Sequence, residues 1–318
     1  MPLLAYPNVS EGRDRQAVER IGEAFGPGLL DVHCDADHNR SAYTLAGEPG
    51  SLAEAVVAGA AEVVRRLRLD LHEGVHPRVG ALDVAPIVHL DDRDRGAACA
   101  EALVLADMLA ERLALPVFLY GALADGRTRA QLRRGGPSEL ARRIAAGELR
   151  PDFGPPRLHP TAGAVLVAAR PPLIAFNVQL APPATLQDAR RIAALIREGG
   201  EQGLPGVRAI GLWLERARIA QVSTNIEDHR ATPPAEVVAA VARHARVADA
   251  ELVGLAPAQA LRGFPDGVPL RGRATIEERL ADWARRTAVA DPVPRDQGGR
   301  GPEPGPPADR PHGRPGSS

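Results

Sequence analysis

The amino-acid sequence predicts an α+β protein, because segments with strand-like and helix-like patterns alternate along most of the chain. The order is clearest in the second half, which reads strand, helix, strand, strand, helix, strand. These segments are 173–180, 185–198, 207–214, 219–226, 235–247 and 251–255. This βαββαβ order is that of the ferredoxin-like arrangement, in which helices cover one face of an antiparallel sheet.

The first half contains the same two kinds of segment in a less regular order. The predicted helices are 14–25, 52–69, 95–115 and 137–146, and the predicted strands are 29–33, 41–46, 84–90 and 116–120. The Pro- and Gly-rich stretch 157–172 predicts a hinge, so we expect domains at 1–171 and 172–288. Residues 289–318 are rich in Pro, Gly and Arg and nearly free of apolar side chains, which predicts a disordered tail.

The composition excludes several classes of function. The formal net charge of −1 disfavours a nucleic-acid or membrane-surface binder. The chain contains no lysine, which both Schiff-base catalysis and a phosphate-binding P-loop need. There are only two cysteines, Cys34 and Cys99, and neither a signal peptide nor an apolar run of ~20 residues is visible. We therefore expect a cytoplasmic protein with neither nucleic acid nor membrane as a partner.

The densest polar cluster is the segment 72–80, HEGVHPRVG. Its first five residues match H-E-x-x-H, a pattern in which one continuous helix presents two zinc-binding histidines on the same face. Gly74 weakens such a helix, and Pro77 disfavours helical geometry at His76. No third histidine or glutamate follows at the usual spacing. We therefore expect no metal at this cluster.

The same cluster is typical of a catalytic loop, because Gly- and Pro-rich loops often present reactive side chains. His76 is able to transfer protons near neutral pH, and Arg78 beside it is able to bind an anion. The alternative is that His76 only caps the helix predicted to end near Leu71.

Four further polar segments stand out. In the segment 31–40, Asp35 and Asp37 follow a predicted strand and could bind a metal or a cationic substrate, although the Asp and Asn content of the segment, taken alone, favours a solvated turn. In the segment 7–12, Asn8 or Ser10 could cap a helix. The other two segments are 151–156, a rigid turn, and 221–225, which ends a strand.

In their order and separations, these clusters resemble the formiminotransferase family. That family comprises the N-terminal half of the bifunctional formiminotransferase-cyclodeaminase and free-standing bacterial relatives. The resemblance covers about residues 4–262. The matching stretches are 7–12, 39–40, 76–78, 80–84, 151–155, 174–177 and 221–225.

The resemblance implies two α+β subdomains that enclose a folate tunnel, and a homodimer. The expected fold is thus two ferredoxin-like-type subdomains, each a mostly antiparallel or mixed sheet with helices packed on one face. The catalytic histidine of the family falls on His76. The folate-binding loop falls on Gly154, Pro155, Pro156, Arg157, Leu158, His159, Pro160, Thr161, Ala162 and Gly163.

The chain departs from the family in three places. Bifunctional members carry an aspartate where this chain has His33, and Asp35 and Asp37 are the candidates to replace it. An aromatic residue expected before Gly163 is Ala162 here. The cyclodeaminase half is missing, so that activity would belong to a separate protein.

The implied reaction moves the formimino group of N-formimidoyl-L-glutamate to N5 of tetrahydrofolate, a co-substrate, in histidine degradation and one-carbon metabolism. One proton must leave N5 and another must reach the departing glutamate nitrogen, and His76 is suited to both transfers. Asp35 and Asp37 would stabilise the cationic formimino carbon. The expected substrate-binding residues are Asn8, Asn39, Arg40 and Arg78, whose arginines offer forked donors to carboxylates.

Two alternatives stay open. The same scaffold could transfer a formyl group from formylglutamate, a neutral amide that would depend less on Asp35 and Asp37. The other alternative is a folate-binding module without turnover, which the pairing of His76 with Arg78 disfavours.

Overall fold

The computed structural model of the chain describes residues 2–290; residues 291–318, which make up most of the predicted tail, lie outside them. The described residues form two β-sheets and eight α-helices. The strands of the first sheet are β1 (Leu3–Ala5), β2 (Asn8–Val9), β3 (Leu29–Asp35), β4 (Arg40–Gly47), β5 (Leu82–Val88), β6 (Val117–Leu119) and β7 (Val165–Arg170). The helices beside it are α1 (Arg15–Ala24), α2 (Leu52–Arg66), α3 (Arg95–Leu113), α4 (Arg129–Arg133) and α5 (Gly136–Ala145).

The first sheet is mixed, with the strand order β1-β4-β2-β5-β7-β6 and with β3 paired to β4. Strands β5, β6 and β7 run parallel, and the other pairs are antiparallel. Helices α1, α2 and α3 cover one face, where they bury Ile21, Val56 and Leu105. Helix α5 packs on the opposite face against Phe118 and Leu166.

The expectation that helices cover only one face is therefore wrong for the first sheet. Parallel strands need crossover connections, so helices come to lie on both faces and the strands become apolar throughout. Strand β7 shows this pattern, because Val165 and Val167 pack on the α1–α3 face while Leu166 packs with α5. The stretch 157–172, expected to be a hinge, thus contains an inner strand of the sheet.

The second sheet has the strand order β12-β11-β8-β10-β9. Its elements are β8 (Ile174–Leu180), α6 (Leu186–Ile196), β9 (Val207–Leu214), β10 (Ile219–Ile226), α7 (Pro234–Ala242), β11 (Val247–Leu252) and β12 (Leu270–Arg271). The order from β8 to β11 is the βαββαβ order predicted from the sequence. Helices α6 and α7 pack together on one face around Phe176 and Val222. The predicted helix 235–247 ends early, because Val247 already pairs with Leu180 of β8.

Helix α8 (Ile276–Ala290) has no counterpart among the predicted helices. Ile276 is buried beside Leu4, on the face of the first sheet opposite α1–α3. A reciprocal cap begins the helix: Glu278 N donates to Thr275 Oγ1 at 3.2 Å, and Thr275 N donates to Glu278 Oε2 at 3.1 Å. None of the helices within residues 2–290 combines the length and apolar character that a membrane crossing requires.

The two sheets face each other across a polar cleft. Strands β8, β10 and β11 alternate between residues of the α6–α7 core and polar residues that point away from it. The polar residues are Asn177, Gln179, Gln221, Ser223, Asn225 and Glu251. Contacts cross from the first sheet to the second: His38 Nε2 lies 2.9 Å from Gln221 Oε1, and Arg216 N donates to Asp37 Oδ1 at 2.8 Å.

The close approach of Gly80 to the start of β7 gives a test of this packing. A Cβ added to Gly80 would lie 1.8 Å from the carbonyl oxygen of Ala164. We expect Gly80→Ala to lower the free energy of unfolding by about 1–3 kcal/mol, because the two backbone segments must move apart. As a control, Gly96→Ala in α3 meets nothing within 4 Å and should change the free energy by less than about 1 kcal/mol. Urea denaturation measures both, and equal stability of the two variants would contradict the packing.

Candidate functional site

A bulge in β5 brings a carboxylate to the cleft. Asn8 pairs with Val84 and Val9 pairs with Leu82, so Asp83 is an extra residue with no partner on β2. Leu82 packs on the α1–α3 face, whereas Val84 packs with α5 on the opposite face. Residues two apart in a regular strand share a face, and a bulge is what changes this. The Asp83 side chain is thereby directed towards two arginines on other elements.

Asp83 is completely buried and forms ion pairs with Arg40 and Arg133. Arg40 Nη1 donates to Asp83 Oδ2 at 2.9 Å, and Val79 N donates to Oδ1 at 2.8 Å. Burial raises the pKa of Asp83, but Arg133 and Arg40 outweigh burial and hold the pKa well below its usual range. Burial also lowers the pKa of Arg40 to about 10, against the opposing effect of Asp83. At neutral pH the three groups therefore carry one net positive charge.

The loop 72–78 is held in place by Arg78 and Asn39. Arg78 donates to three carbonyl oxygens of this loop, those of His72 (2.6 Å), Gly74 (3.0 Å) and His76 (3.3 Å). Asn39 donates to the carbonyl oxygen of Glu73 at 2.8 Å and accepts from Gly12 N at 2.9 Å. Both residues were expected to bind substrate. Their side chains instead form hydrogen bonds with backbone atoms, and neither lines the cleft. Their observed role is to position the loop.

His76 is half-buried at the cleft, and its hydrogen bond defines its reactive nitrogen. The Nδ1 atom lies 2.8 Å from the carbonyl oxygen of Pro77, which only accepts, so Nδ1 carries a hydrogen. In the neutral ring, Nε2 is then the proton acceptor. Burial lowers the pKa of His76 well below its usual value, and the charges of Arg40 and Arg133 lower it further. The imidazole is therefore neutral at physiological pH and suited to act as a base.

The cleft around His76 is formed by both sheets and holds about 640 Å³ of free space, part of it open to solvent. The first sheet and its connections contribute Asn8, His33, Asp35, His38, Arg40, Ala42, His76, Arg129 and Arg133. The second sheet and its connections contribute Ala175, Asn177, Ser223, Thr224, Asn225 and Val253. Three arginines against Asp35 and the adjacent Asp83 leave the cleft positively charged, which favours an anionic ligand.

A larger depression lies between α1 and α2, with about 910 Å³ of free space. Its charged side chains pair with one another, Arg20 with Glu23 and Arg66 with Glu62. None of the predicted site residues lies there, and its ion pairs leave no charge for a ligand. We therefore place the functional site in the cleft between the sheets.

The two aspartates expected to stabilise the substrate are separated by the structure. Asp35 lines the cleft, and its Oδ1 accepts from His38 N at 2.7 Å. Asp37 does not line the cleft, because its carboxylate binds the backbone of Arg216 in the second sheet. His33 does line the cleft, and its Nε2 lies 3.8 Å from Glu251 Oε1 on β11. Asp35 is thus the cleft carboxylate, and Asp37 joins the two sheets.

The expected folate-binding loop, residues 154–163, lies beside the His76 loop rather than in the cleft lining. The carbonyl oxygen of Thr161 accepts from Leu69 N at 2.7 Å, and that of Ala162 accepts from Ala81 N at 2.9 Å. These two bonds fix the loop to the chain on either side of residues 72–78. Gly163 has a φ of +72°, and a Cβ there would lie 2.3 Å from the carbonyl oxygen of Val79.

The structure therefore brings together four predicted residues: Asn8, Asp35, Arg40 and His76. It adds residues that had no predicted role, namely Asp83, Arg129, Arg133, His38, Asn177, Ser223, Thr224 and Asn225. Asp83 could have been recognised, since it is the one charge in the apolar run 81–88. The strand residues could have been recognised because polar and buried apolar side chains alternate along β8 and β10.

The zinc-binding alternative lacks its geometry. Residues 72–76 form no helix, as Gly74 and Pro77 predict, so His72 and His76 do not share a helix face. His72 Nε2 instead lies 2.8 Å from the carbonyl oxygen of Asn39. Within residues 2–290, no group of three or more His, Cys, Asp and Glu side chains is arranged to hold a metal ion.

The charge environment of His76 gives a prediction about its titration. Arg40→Gln removes a positive charge that lowers the pKa of His76 and frees part of the Asp83 charge that raises it. The pKa should therefore rise towards 6.5 in this variant, and the neutral base should be lost at a less acidic pH. Proton NMR of the histidine rings measures the change. His159, whose pKa is lowered by burial alone, is the internal control. An unchanged or lower pKa of His76 would contradict the assignment.

Comparison with known proteins agrees with the resemblance seen in the motifs. Residues 3–170 match the model of the formiminotransferase domain, N-terminal subdomain, and residues 175–264 match the model of the formiminotransferase domain. The chain is 34% identical over 270 residues to a glutamate formimidoyltransferase of Streptococcus pyogenes serotype M1, covering 80% of this chain and 89% of that protein.

Two further relatives match, one free-standing and one bifunctional. A glutamate formimidoyltransferase of Thermoplasma acidophilum is 35% identical over 269 residues, covering 80% of this chain and 88% of that protein. The formimidoyltransferase-cyclodeaminase of Gallus gallus is 38% identical over 272 residues, again 80% of this chain but 50% of that protein. The chain thus spans about half the length of its bifunctional relatives. With both domain models and these relatives matched, the chain belongs to the formiminotransferase family.

Proposed function

We propose that the protein is a glutamate formimidoyltransferase that moves the formimino group of N-formimidoyl-L-glutamate to N5 of tetrahydrofolate. The observation that carries the proposal is His76, held neutral with Nε2 as its acceptor, in a positively charged cleft. Relatives named glutamate formimidoyltransferase support the same reaction. The positive charge of the cleft suits a donor that carries carboxylates. The neutral base suits an amine nucleophile, which must lose a proton.

His76 serves both proton transfers in this proposal. Its Nε2 accepts the proton released as N5 bonds to the formimino carbon, and returns a proton to the glutamate nitrogen as the carbon–nitrogen bond breaks. The hydrogen bond to the Pro77 carbonyl oxygen keeps a hydrogen on Nδ1 throughout the reaction. Nε2 is therefore the nitrogen that accepts the proton and returns it. A group of this kind typically contributes ~10²–10⁴-fold to the rate.

In this proposal Asp35 and Arg40 interact with different parts of the donor. The Asp35 carboxylate lines the cleft and would balance the cationic formimino group, while Arg40 would supply positive potential for the donor's carboxylates. Arg40 is held by Asp83 and by Asn8, whose Oδ1 accepts from Nε at 3.1 Å. We assign Asn8 and Asp83 to positioning this guanidinium.

Tetrahydrofolate would approach along the loop 154–163. The backbone bonds of Thr161 and Ala162 keep this loop against both ends of the His76 loop, so a pterin held there would be near the imidazole. The residues of the loop are half-buried or exposed from 154 to 161, and so are open to a ligand. No metal is needed for this chemistry.

We also propose that the chain is organised as two subdomains followed by a tail. We assign residues 1–171 and 172–288 to two α+β subdomains, each with a sheet and an apolar core of its own, and the residues after helix α8 to a tail. The matched ranges 3–170 and 175–264 support the boundary. A homodimer and a separate cyclodeaminase stay predictions from the resemblance, and a cytoplasmic location stays a prediction from the composition.

Formyl transfer from formylglutamate is the second candidate. The observation in its favour is the excess of arginine, because a neutral amide would develop an oxyanion that Arg40 could stabilise. Asp35 would then have no cation to balance. A folate-binding module without turnover is disfavoured, since binding alone gives no reason for a neutral, oriented imidazole.

Purified protein with tetrahydrofolate and each donor in turn tests the proposal. We expect turnover with N-formimidoyl-L-glutamate, and a loss of at least ~10²-fold in kcat for His76→Gln with little change in folate binding or thermal stability. His244→Gln, at a histidine that does not line the cleft and that contacts Gln202, is the matched control. Faster turnover with formylglutamate would favour the second candidate. Near-normal turnover of His76→Gln would remove His76 from the mechanism.

A further inference from the structure

Arg129 is the cleft arginine whose charge the protein does not balance. It lines the cleft, yet its guanidinium makes no hydrogen bond or salt bridge with any residue in the range 2–290. Arg40 and Arg133, in contrast, share the Asp83 carboxylate. The contact that orients Arg129 is Tyr120, whose ring centre lies 5.7 Å from the guanidinium carbon.

Burial makes this unbalanced charge costly. Burial lowers the pKa of Arg129, and the positive charges of Arg133 and Arg170 lower it further. The carboxylate of Glu227 raises the pKa but forms its ion pair with Arg208. Arg129 is half-buried, and a cation that has lost part of its contact with water is stabilised when a ligand supplies an anionic partner.

Further donors lie beside Arg129. Arg133 follows it by four residues on α4, so the two side chains project from the same face of the helix. Arg133 Nε is buried without a hydrogen-bond partner among residues 2–290, although Nη2 of the same side chain binds Asp83. The Tyr120 hydroxyl is also buried without a partner there. Arg129 and Arg133 thus line the cleft together, and the positive charge there favours an anionic ligand.

The second-sheet side chains that line the cleft are neutral, such as Asn177, Ser223 and Asn225, and the nearby Glu251 is paired with Arg271. These amides and hydroxyls are able to hydrogen-bond a ligand but not to neutralise Arg129. Asp35, the cleft carboxylate, is bonded to the backbone of His38. Within residues 2–290 no carboxylate is paired with Arg129, so a ligand is able to supply one.

We propose that Arg129 binds a carboxylate of the glutamate part of the donor and so determines donor specificity. The planar fork of an arginine matches a carboxylate with two parallel hydrogen bonds. This inference rests on the proposed function, and it assigns to Arg129 the role that the sequence suggested for Arg78. Folate also carries glutamate, so the two sources of the same carboxylate must be separated by experiment.

Steady-state kinetics of three variants separate the two sources. For Arg129→Gln we expect the KM for N-formimidoyl-L-glutamate to rise about 10- to 100-fold, with kcat and the KM for tetrahydrofolate within about threefold of wild type. Arg129→Lys keeps the charge but loses the fork, so its KM should lie in between. Arg134→Gln, an exposed arginine at the end of the same helix, should behave as wild type. A rise confined to the KM for tetrahydrofolate, or no rise in either KM, would overturn the proposal.

A binding measurement keeps this test independent of turnover. Isothermal titration with L-glutamate, the product that retains both carboxylates, should show an affinity about 10- to 100-fold lower for Arg129→Gln than for wild type. Thermal unfolding of the same samples confirms that the variant is folded. Equal affinity in the two proteins, or no binding to wild type, would overturn the carboxylate site. Absence of transferase activity in wild type, with the difference in L-glutamate affinity intact, would overturn only the proposed function.

Discussion

The organisation of the site depends on one buried ion-pair group, the Asp83 carboxylate between Arg40 and Arg133. A carboxylate with no exposure to water is tolerated only when it is paired and hydrogen-bonded, and removing one partner of such a pair typically costs about 3–5 kcal/mol. The bulge in β5 creates this position, and Val79 N–H completes it. The same group joins three separate parts of the chain: β4, β5 and the helix α4.

The reactivity of His76 follows from that arrangement. Two arginines close to the ring disfavour its protonated form, and Asp83 offsets them only in part. The loop that carries His76 is fastened at Arg78 and Asn39, and both of these side chains act on backbone carbonyls. The chain thus separates two tasks, because one set of polar residues fixes the loop and another sets the charge around the ring. Neither task requires a side chain from the second sheet, whose contribution is the neutral wall of the cleft.

The fold was predictable in segments where apolar residues recur at a regular helix or strand spacing. Helix α6 shows the expected pattern together with a Thr185–Asp188 capping box, and β8 and β10 alternate cleanly. Strand β7 was missed because a strand buried on both faces has no alternation, and its Pro- and Gly-rich flanks suggested a hinge. Helix α8 was missed although Thr275 and Glu278 give the start signal of a helix, since it directly precedes the Pro- and Gly-rich segment.

The sequence indicates which residues could form the site, but not the direction in which each side chain points. His76, Asp35, Arg40 and Asn8 stand in recognisable polar clusters, and they meet in the cleft. Arg78 stands in such a cluster too, but the sequence does not show that its guanidinium turns back on its own loop. Arg129 lies in a short helix with no motif of its own. It reaches the cleft through the packing of α4 and α5 on the second face of the first sheet, which only the folded chain reveals.

The central claim is that the reaction takes place in the cleft between the sheets, at Nε2 of His76. A crystal structure of the protein with a stable 5-substituted tetrahydrofolate and L-glutamate tests it most directly. The account predicts that the pterin N5 lies within about 3–3.5 Å of His76 Nε2, the range of reacting groups in a productive complex. A pterin bound elsewhere, with N5 out of reach of His76 and the cleft between the sheets empty, would contradict the account.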